Sequence, residues 1–254
     1  MYAAPSPALL LIAHGSRDPR HAATVHALAE RLRERRPGTR VEVSFLDFDA
    51  ASVPAALNRL ARSGVRDVVA LPLLLTRAFH AKADIPAVLD AASARLPRLR
   101  VVRARVLGPS PLLLAAVERR LYETGLRPED KSSTGVVLAS AGSTDPEAIA
   151  VIADMARELR DAGWRSVRPA FASASPPRTE DAVRALRSAP GVSRVAVARY
   201  VLAPGFLPDR IARGATEGGA DLLAPVLGAC PEVARLVLLR YEEAAGSAWT
   251  AAAA

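Results

Sequence analysis

The chain has 254 residues, half of them hydrophobic but only 4% aromatic, and carries a net charge of +8. That length suits one large domain or two small ones, with a core built from leucine, valine, isoleucine and alanine. A single cysteine, Cys230, excludes an internal disulfide, a Cys-x-x-Cys redox pair and a cysteine-held cluster within one chain.

The first apolar run, Ala8 to Ala13, reads as a buried strand that stops at His14, Gly15 and Ser16. It is too short for the hydrophobic part of a signal peptide and has no basic residues before it, so we read it as structure. Residues 20–36 place Val25, Leu28 and Leu32 at helical spacing, and Pro37-Gly38 ends that helix. Val41 to Leu46 is a β-rich strand closed by Asp47, Phe48 and Asp49, and Val53 to Arg62 a second helix stopped at Gly64. Val65 to Leu75 is the most apolar strand, expected near the centre of a sheet. Thr76 to Lys82 follows as a loop, and a helix starts at Asp84 with Pro86 in its first turn. Leu99 to Val106 and Pro111 to Tyr122 complete a strand and a helix. Strands alternating with helices predict a parallel sheet.

Residues 125–135 are polar and rich in turn formers, as expected of a linker. The pattern then restarts. The run Val136 to Pro146, through Ala141, Gly142, Ser143 and Asp145, mirrors Leu10 to Pro19 about 127 residues later. The run Val195 to Leu207 mirrors Val68 to His80 at the same offset. Two matches at one offset imply an internal duplication: an N-terminal half over 1–124, the linker, a C-terminal half over 136–243, and a frayed tail over 244–254. Ala141 stands where the first half has His14, Leu207 where it has His80, and Ser173 near the equivalent of Asp47.

His14, Asp47 and His80 are 33 residues apart in turn, each just past a predicted strand. In a parallel sheet those ends share one edge, where α/β folds bind ligands. Two imidazoles and a carboxylate suit a divalent first-row metal such as iron, cobalt, nickel or zinc, and the same groups accept protons near neutrality. His26 falls on the exposed side of the first helix, and His21 lies nearer the His14 loop. His14-Gly15-Ser16-Arg17 also shares His-Gly with the Arg-His-Gly motif of histidine phosphatases, but Ala13 replaces the arginine. No Gly-Lys-Ser/Thr follows Gly15-Ser16, so this is not a Walker loop.

Three motifs together resemble the sirohydrochlorin chelatases, class II tetrapyrrole metal chelatases. They are Leu11-Ile12-Ala13-His14-Gly15-Ser16-Arg17, Phe45-Leu46-Asp47, and the run from Leu71-Pro72 through Phe79-His80 and Lys82 to Asp84-Ile85-Pro86. The resemblance covers nearly the whole chain. It implies an α/β protein of two tandem Rossmann-like halves, each a parallel sheet flanked by helices, facing across a cleft with the tetrapyrrole between them. It implies that His14 and His80 are the active-site histidines, in the N-terminal half. Asp47 falls where the family often has glutamate, and the three would hold the metal. The substrate carries eight carboxylates, so Ser16, Arg17, Arg77 and Lys82, flanking the histidines, are the expected substrate-binding residues. Insertion of a divalent metal would release two pyrrole protons, in sirohaem or cobalamin biosynthesis, with Fe2+ ahead of Co2+ and Ni2+ third and no organic cofactor. A tetrapyrrole or metal carrier on the same fold, or a histidine-dependent phosphatase, are the alternatives. The positive charge comes almost entirely from arginine and shows no basic block interleaved with aromatics, so no nucleic acid partner is expected. No run approaches the roughly 20 apolar residues of a membrane span. A cytoplasmic protein is the expectation. A monomer suffices, because duplication lets one chain supply both walls of a cleft; a dimer is compatible.

Overall fold

A computed structural model describes residues 6–48, 51–77 and 80–250, without the side chains of residues 80, 81 and 248–250. The first half contains β1 (Ala8–Ala13), α1 (Pro19–Arg35), β2 (Val41–Phe45), α2 (Val53–Arg62), β3 (Asp67–Pro72), α3 (Ile85–Arg95), β4 (Arg100–Arg103) and α4 (Pro111–Tyr122). The second contains β5 (Thr134–Ser140), α5 (Pro146–Asp161), β6 (Ser166–Phe171), α6 (Thr179–Arg187), β7 (Arg194–Tyr200), α7 (Phe206–Gly218), β8 (Leu222–Leu223) and α8 (Pro231–Thr250).

The strands form two four-stranded sheets, ordered β2-β1-β3-β4 and β6-β5-β7-β8, and every pairing is parallel. The expected α/β architecture is therefore present twice. β1 and β3 are interior, and all six residues of β1 are buried, because helices cover both faces of a parallel sheet. On one face Leu10, Ile12, Val68 and Ala70 pack with Leu57 and Leu60 of α2 and with Ile85 and Leu89 of α3. The second unit repeats this arrangement with Val137, Ala139, Val195 and Val197 against Val183 and Leu186 of α6 and Ile211 of α7.

Packing and sequence divide the chain differently. One compact unit comprises residues 1–108 with 234–254, and the other residues 109–233. The helix that closes the first repeat, α4, thus belongs to the second unit, and most of α8 belongs to the first. Within that first unit, Arg240 of α8 is 7% exposed and donates from Nε to the Val106 carbonyl (3.1 Å) and from Nη2 to the Leu107 carbonyl (3.1 Å). Tyr241 donates its hydroxyl to the Pro7 carbonyl at 2.7 Å.

Two local expectations are corrected. The tail from Ala244 is helical to Thr250, since α8 continues in residues of high helix propensity such as Ala244, Ala245 and Ala248. The loop over 76–82 gives way at His80 to a single wide helical turn, His80–Asp84, that leads into α3. Pro86 has no N–H to close the ordinary bond to Lys82, which accommodates a wider turn there. Within the 125–135 segment, Pro128–Ser133 forms a short 3-10 helix in which the Arg127 N–H donates to the Asp130 carboxylate at 2.8 Å.

Candidate functional site

Past the end of β1 the backbone stays bonded to the chain leaving β2. Leu46 N–H donates to the Ala13 carbonyl and Asp47 N–H to the His14 carbonyl, both at 3.0 Å, so two successive carbonyls turn to the same neighbour where the regular ladder ends. On the other side Leu73 N–H donates to the Ile12 carbonyl at 2.8 Å. The chain passes from β1 to β2 on one side and then crosses to β3 on the other, so the end of β1 is a topological switch point. His14 sits there, half-buried, with Asp47 on the neighbouring strand end.

Gly15 makes this closeness possible. Its φ is +97°, and a Cβ at this position would lie 1.9 Å from the Asp47 carbonyl oxygen. Ser16 Oγ then accepts from Asp18 N–H at 3.1 Å, and the Asp18 carboxylate caps α1 by accepting from Arg20 N–H at 2.9 Å. The second unit repeats each of these features. Gly142 has φ +98°, its added Cβ would lie 2.0 Å from the Ser173 carbonyl oxygen, and Ser173 N–H donates to the Ala141 carbonyl at 3.0 Å. Ser143 Oγ accepts from Asp145 N–H at 3.0 Å, and Asp145 caps α5. The backbone of the site is thus duplicated and its chemistry is not: Ala141 replaces His14, and Ser173 replaces Asp47. The Ser173 hydroxyl donates to the Ala141 carbonyl at 2.8 Å, whereas the Asp47 carboxylate is exposed and takes no hydrogen bond from the described residues.

His80 opens the wide turn that follows β3 and leads into α3. Its side chain lies outside the described residues, as do Phe79 and Asp49. The structure therefore joins the backbones of His14 and Asp47, and His80 follows in the segment after β3, the strand on the other side of β1. Among the described residues no three of histidine, cysteine, aspartate and glutamate gather as a metal site. Arg77 is exposed in the segment after β3, and Lys82 is exposed on the wide turn. Arg17 is exposed, with its guanidinium carbon 5.3 Å from the centre of the Phe48 ring.

Sequence reading gave His21 little weight and Phe48 none beyond closing a strand. His21 lies in the first turns of α1, its Nδ1 buried without a hydrogen-bond partner and its ring 6.2 Å from that of Phe45. Burial, and then the nearby charge of His14, hold its imidazole below the ordinary histidine range, against a smaller opposing effect of Asp18. Its place in the first turns of the helix that follows the His14 loop was the available signal. Phe48 is 58% exposed and has φ +62°, an unfavourable backbone for an aromatic residue. An aromatic between two aspartates, in a chain with five phenylalanines, was the signal there. His26 is exposed on α1, as expected.

The CbiX family model matches residues 8–124 and again 135–244. A sirohydrochlorin ferrochelatase of Bacillus subtilis is 27% identical over 245 residues, covering 94% of this chain and 92% of its own. A sirohydrochlorin cobaltochelatase of Priestia megaterium is 28% identical over 80% of this chain, which spans 66% of that protein's length. Among solved structures, SirB from Bacillus subtilis with Fe3+ superposes with a TM-score of 0.83 at 26% identity, covering 95% of this chain and 97% of that one.

Proposed function

The chain belongs to the CbiX family, and from that premise we propose that it is a sirohydrochlorin chelatase whose active site is the β1–β2–β3 edge of its first sheet. The observation that carries this reading is the pairing of His14 with Asp47 at the switch point, on a backbone that the second unit copies with Ala141 and Ser173. The second unit makes the same loop without these side chains, which supports a chemical role for them in the first.

Metal insertion consumes M2+ and the free macrocycle and releases the metallated macrocycle and two protons. His14 and His80 supply neutral imidazoles that hold the metal and accept the pyrrole protons, and Asp47 supplies the negative charge that draws a divalent ion to the edge. Burial disfavours the charged form of His21, which lies in the first turns of α1 after the His14 loop. Ser16, Arg17, Arg77 and Lys82 bind substrate carboxylates; the Ser16 oxygen that accepts from Asp18 N–H still has a hydroxyl hydrogen to donate. Fe2+ is the favoured metal, then Co2+, then Ni2+, for a product directed to sirohaem or cobalamin. The setting is the cytoplasm, and a single chain is sufficient; among the described residues no helix is long and apolar enough to cross a membrane.

The test is anaerobic absorbance of sirohydrochlorin with Fe2+, Co2+ or Ni2+, using wild type, His14→Ala and His80→Ala. Loss of a proton acceptor predicts a fall in kcat of about 100-fold or more in each variant. Full activity in both variants would place the site elsewhere. Stoichiometric binding without turnover by wild type would make the chain a carrier.

A further inference from the structure

We infer that Phe48 is a tetrapyrrole-binding residue, an aromatic platform beside the candidate metal site that receives the flat face of the macrocycle, with Arg17 positioned over its ring. This inference rests on the chelatase reading and adds to it the residue that holds the macrocycle's face.

The backbone conformation at Phe48 belongs to the turn, not to the ring. Ala174, at the equivalent point of the second unit, has φ +63° against +62° for Phe48, so a methyl group is enough to make this turn. A bulky aromatic is a poor choice for that region of backbone space. The ring does not gain burial in exchange, since Phe48 is 58% exposed. Two unfavourable features therefore coincide one residue after Asp47, whose N–H is bonded to the His14 carbonyl. The ring has no atom that ligates a metal. It offers an apolar π face, suited to a planar conjugated molecule at the metal site.

Arg17 extends the argument. Its guanidinium carbon lies 5.3 Å from the ring centre, a cation–π distance, which places a positive charge next to the apolar face. A flat apolar surface bordered by a cation matches a macrocycle with carboxylates at its rim. The second unit has neither member of the pair: Thr144 stands at the equivalent of Arg17 and Ala174 at that of Phe48. The two residues differ between the copies in the same way as His14 and Asp47.

The experiment compares Phe48→Ala, Phe48→Leu and Phe48→Tyr with wild type. Sirohydrochlorin binding is followed by absorbance titration without metal, and KM is measured separately for sirohydrochlorin and for Co2+. The platform predicts that Phe48→Ala raises Kd and KM for sirohydrochlorin about tenfold, that Phe48→Tyr stays near wild type, and that KM for Co2+ is unchanged in every variant. Phe48→Leu, which keeps apolar bulk without the π face, falls between and carries the comparison should the alanine variant not fold. Wild-type affinity in Phe48→Ala, or equal loss of affinity in the leucine and tyrosine variants, would overturn the inference. Wild-type turnover separates the two readings: turnover with unchanged Kd in Phe48→Ala removes the platform alone, and absence of turnover with every metal removes the chelatase reading.

Discussion

One methyl group at Gly15 would strike the Asp47 carbonyl oxygen at 1.9 Å and would also strain a backbone at φ +97°. Gly15→Ala must push apart the two strand ends that bring His14 and Asp47 together. We expect it to lower chelatase activity at least as much as His14→Ala, and to lower the melting temperature, which His14→Ala spares; activity and calorimetry on the same samples check both. Charge is expected to act differently. Reversal at Arg77 or Lys82, both exposed, raises KM for sirohydrochlorin with little change in kcat, and an unchanged KM in both would remove them from the binding surface. His21 gives a pH signature. Its folded-state pKa lies below its unfolded value, so the unfolded chain binds the extra proton first as pH falls. The stability it protects is complete above about pH 6.5 and declines below it. Melting temperatures from pH 8 to 5 should fall less steeply for His21→Gln than for wild type.

Elements were legible where their patterns are local. The helices at Val53–Arg62 and Pro111–Tyr122 match their expected bounds, because serine caps and N-terminal prolines mark their starts: Ser52 accepts from Ala55 N–H at 3.4 Å, and Ser110 from Leu112 N–H at 3.3 Å. The third strand is shorter than expected, Asp67–Pro72 against Val65–Leu75, because apolar residues continue past the strand and pack against the core as loop, as Leu74 does. Caps also bear on stability at this scale. Asp18 and Asp145 hold the first N–H groups of α1 and α5, and Asp18→Ala should lower the denaturant midpoint of unfolding. Burial within β1 is a larger effect: Leu10 is fully buried against α2 and α3, and Leu10→Ala should cost roughly 2–5 kcal/mol.

At the scale of the whole chain, the duplication was legible in two runs at one offset, and the paired glycines, caps and positive-φ residues of the two units bear it out. The loss of histidine and aspartate from the second copy was legible too. Two features were not. That a Cβ at Gly15 would meet Asp47 depends on a loop returning to a strand end 32 residues earlier in the chain, which periodicity does not record. The exchange of α4 and α8 between units was hidden because amphipathic spacing says which face of a helix is buried, not which sheet covers it.

That exchange sets an order of events during synthesis. The unit formed by residues 109–233 is one continuous stretch, so it has all its parts once Val233 has left the ribosome. The unit that carries His14 was begun first but receives its last helix last, when Arg240 reaches the Val106 and Leu107 carbonyls and Tyr241 reaches Pro7. The half proposed for catalysis is therefore completed only after the whole of the other unit has been made, and a chain interrupted before α8 would carry every candidate site residue on an unfinished scaffold.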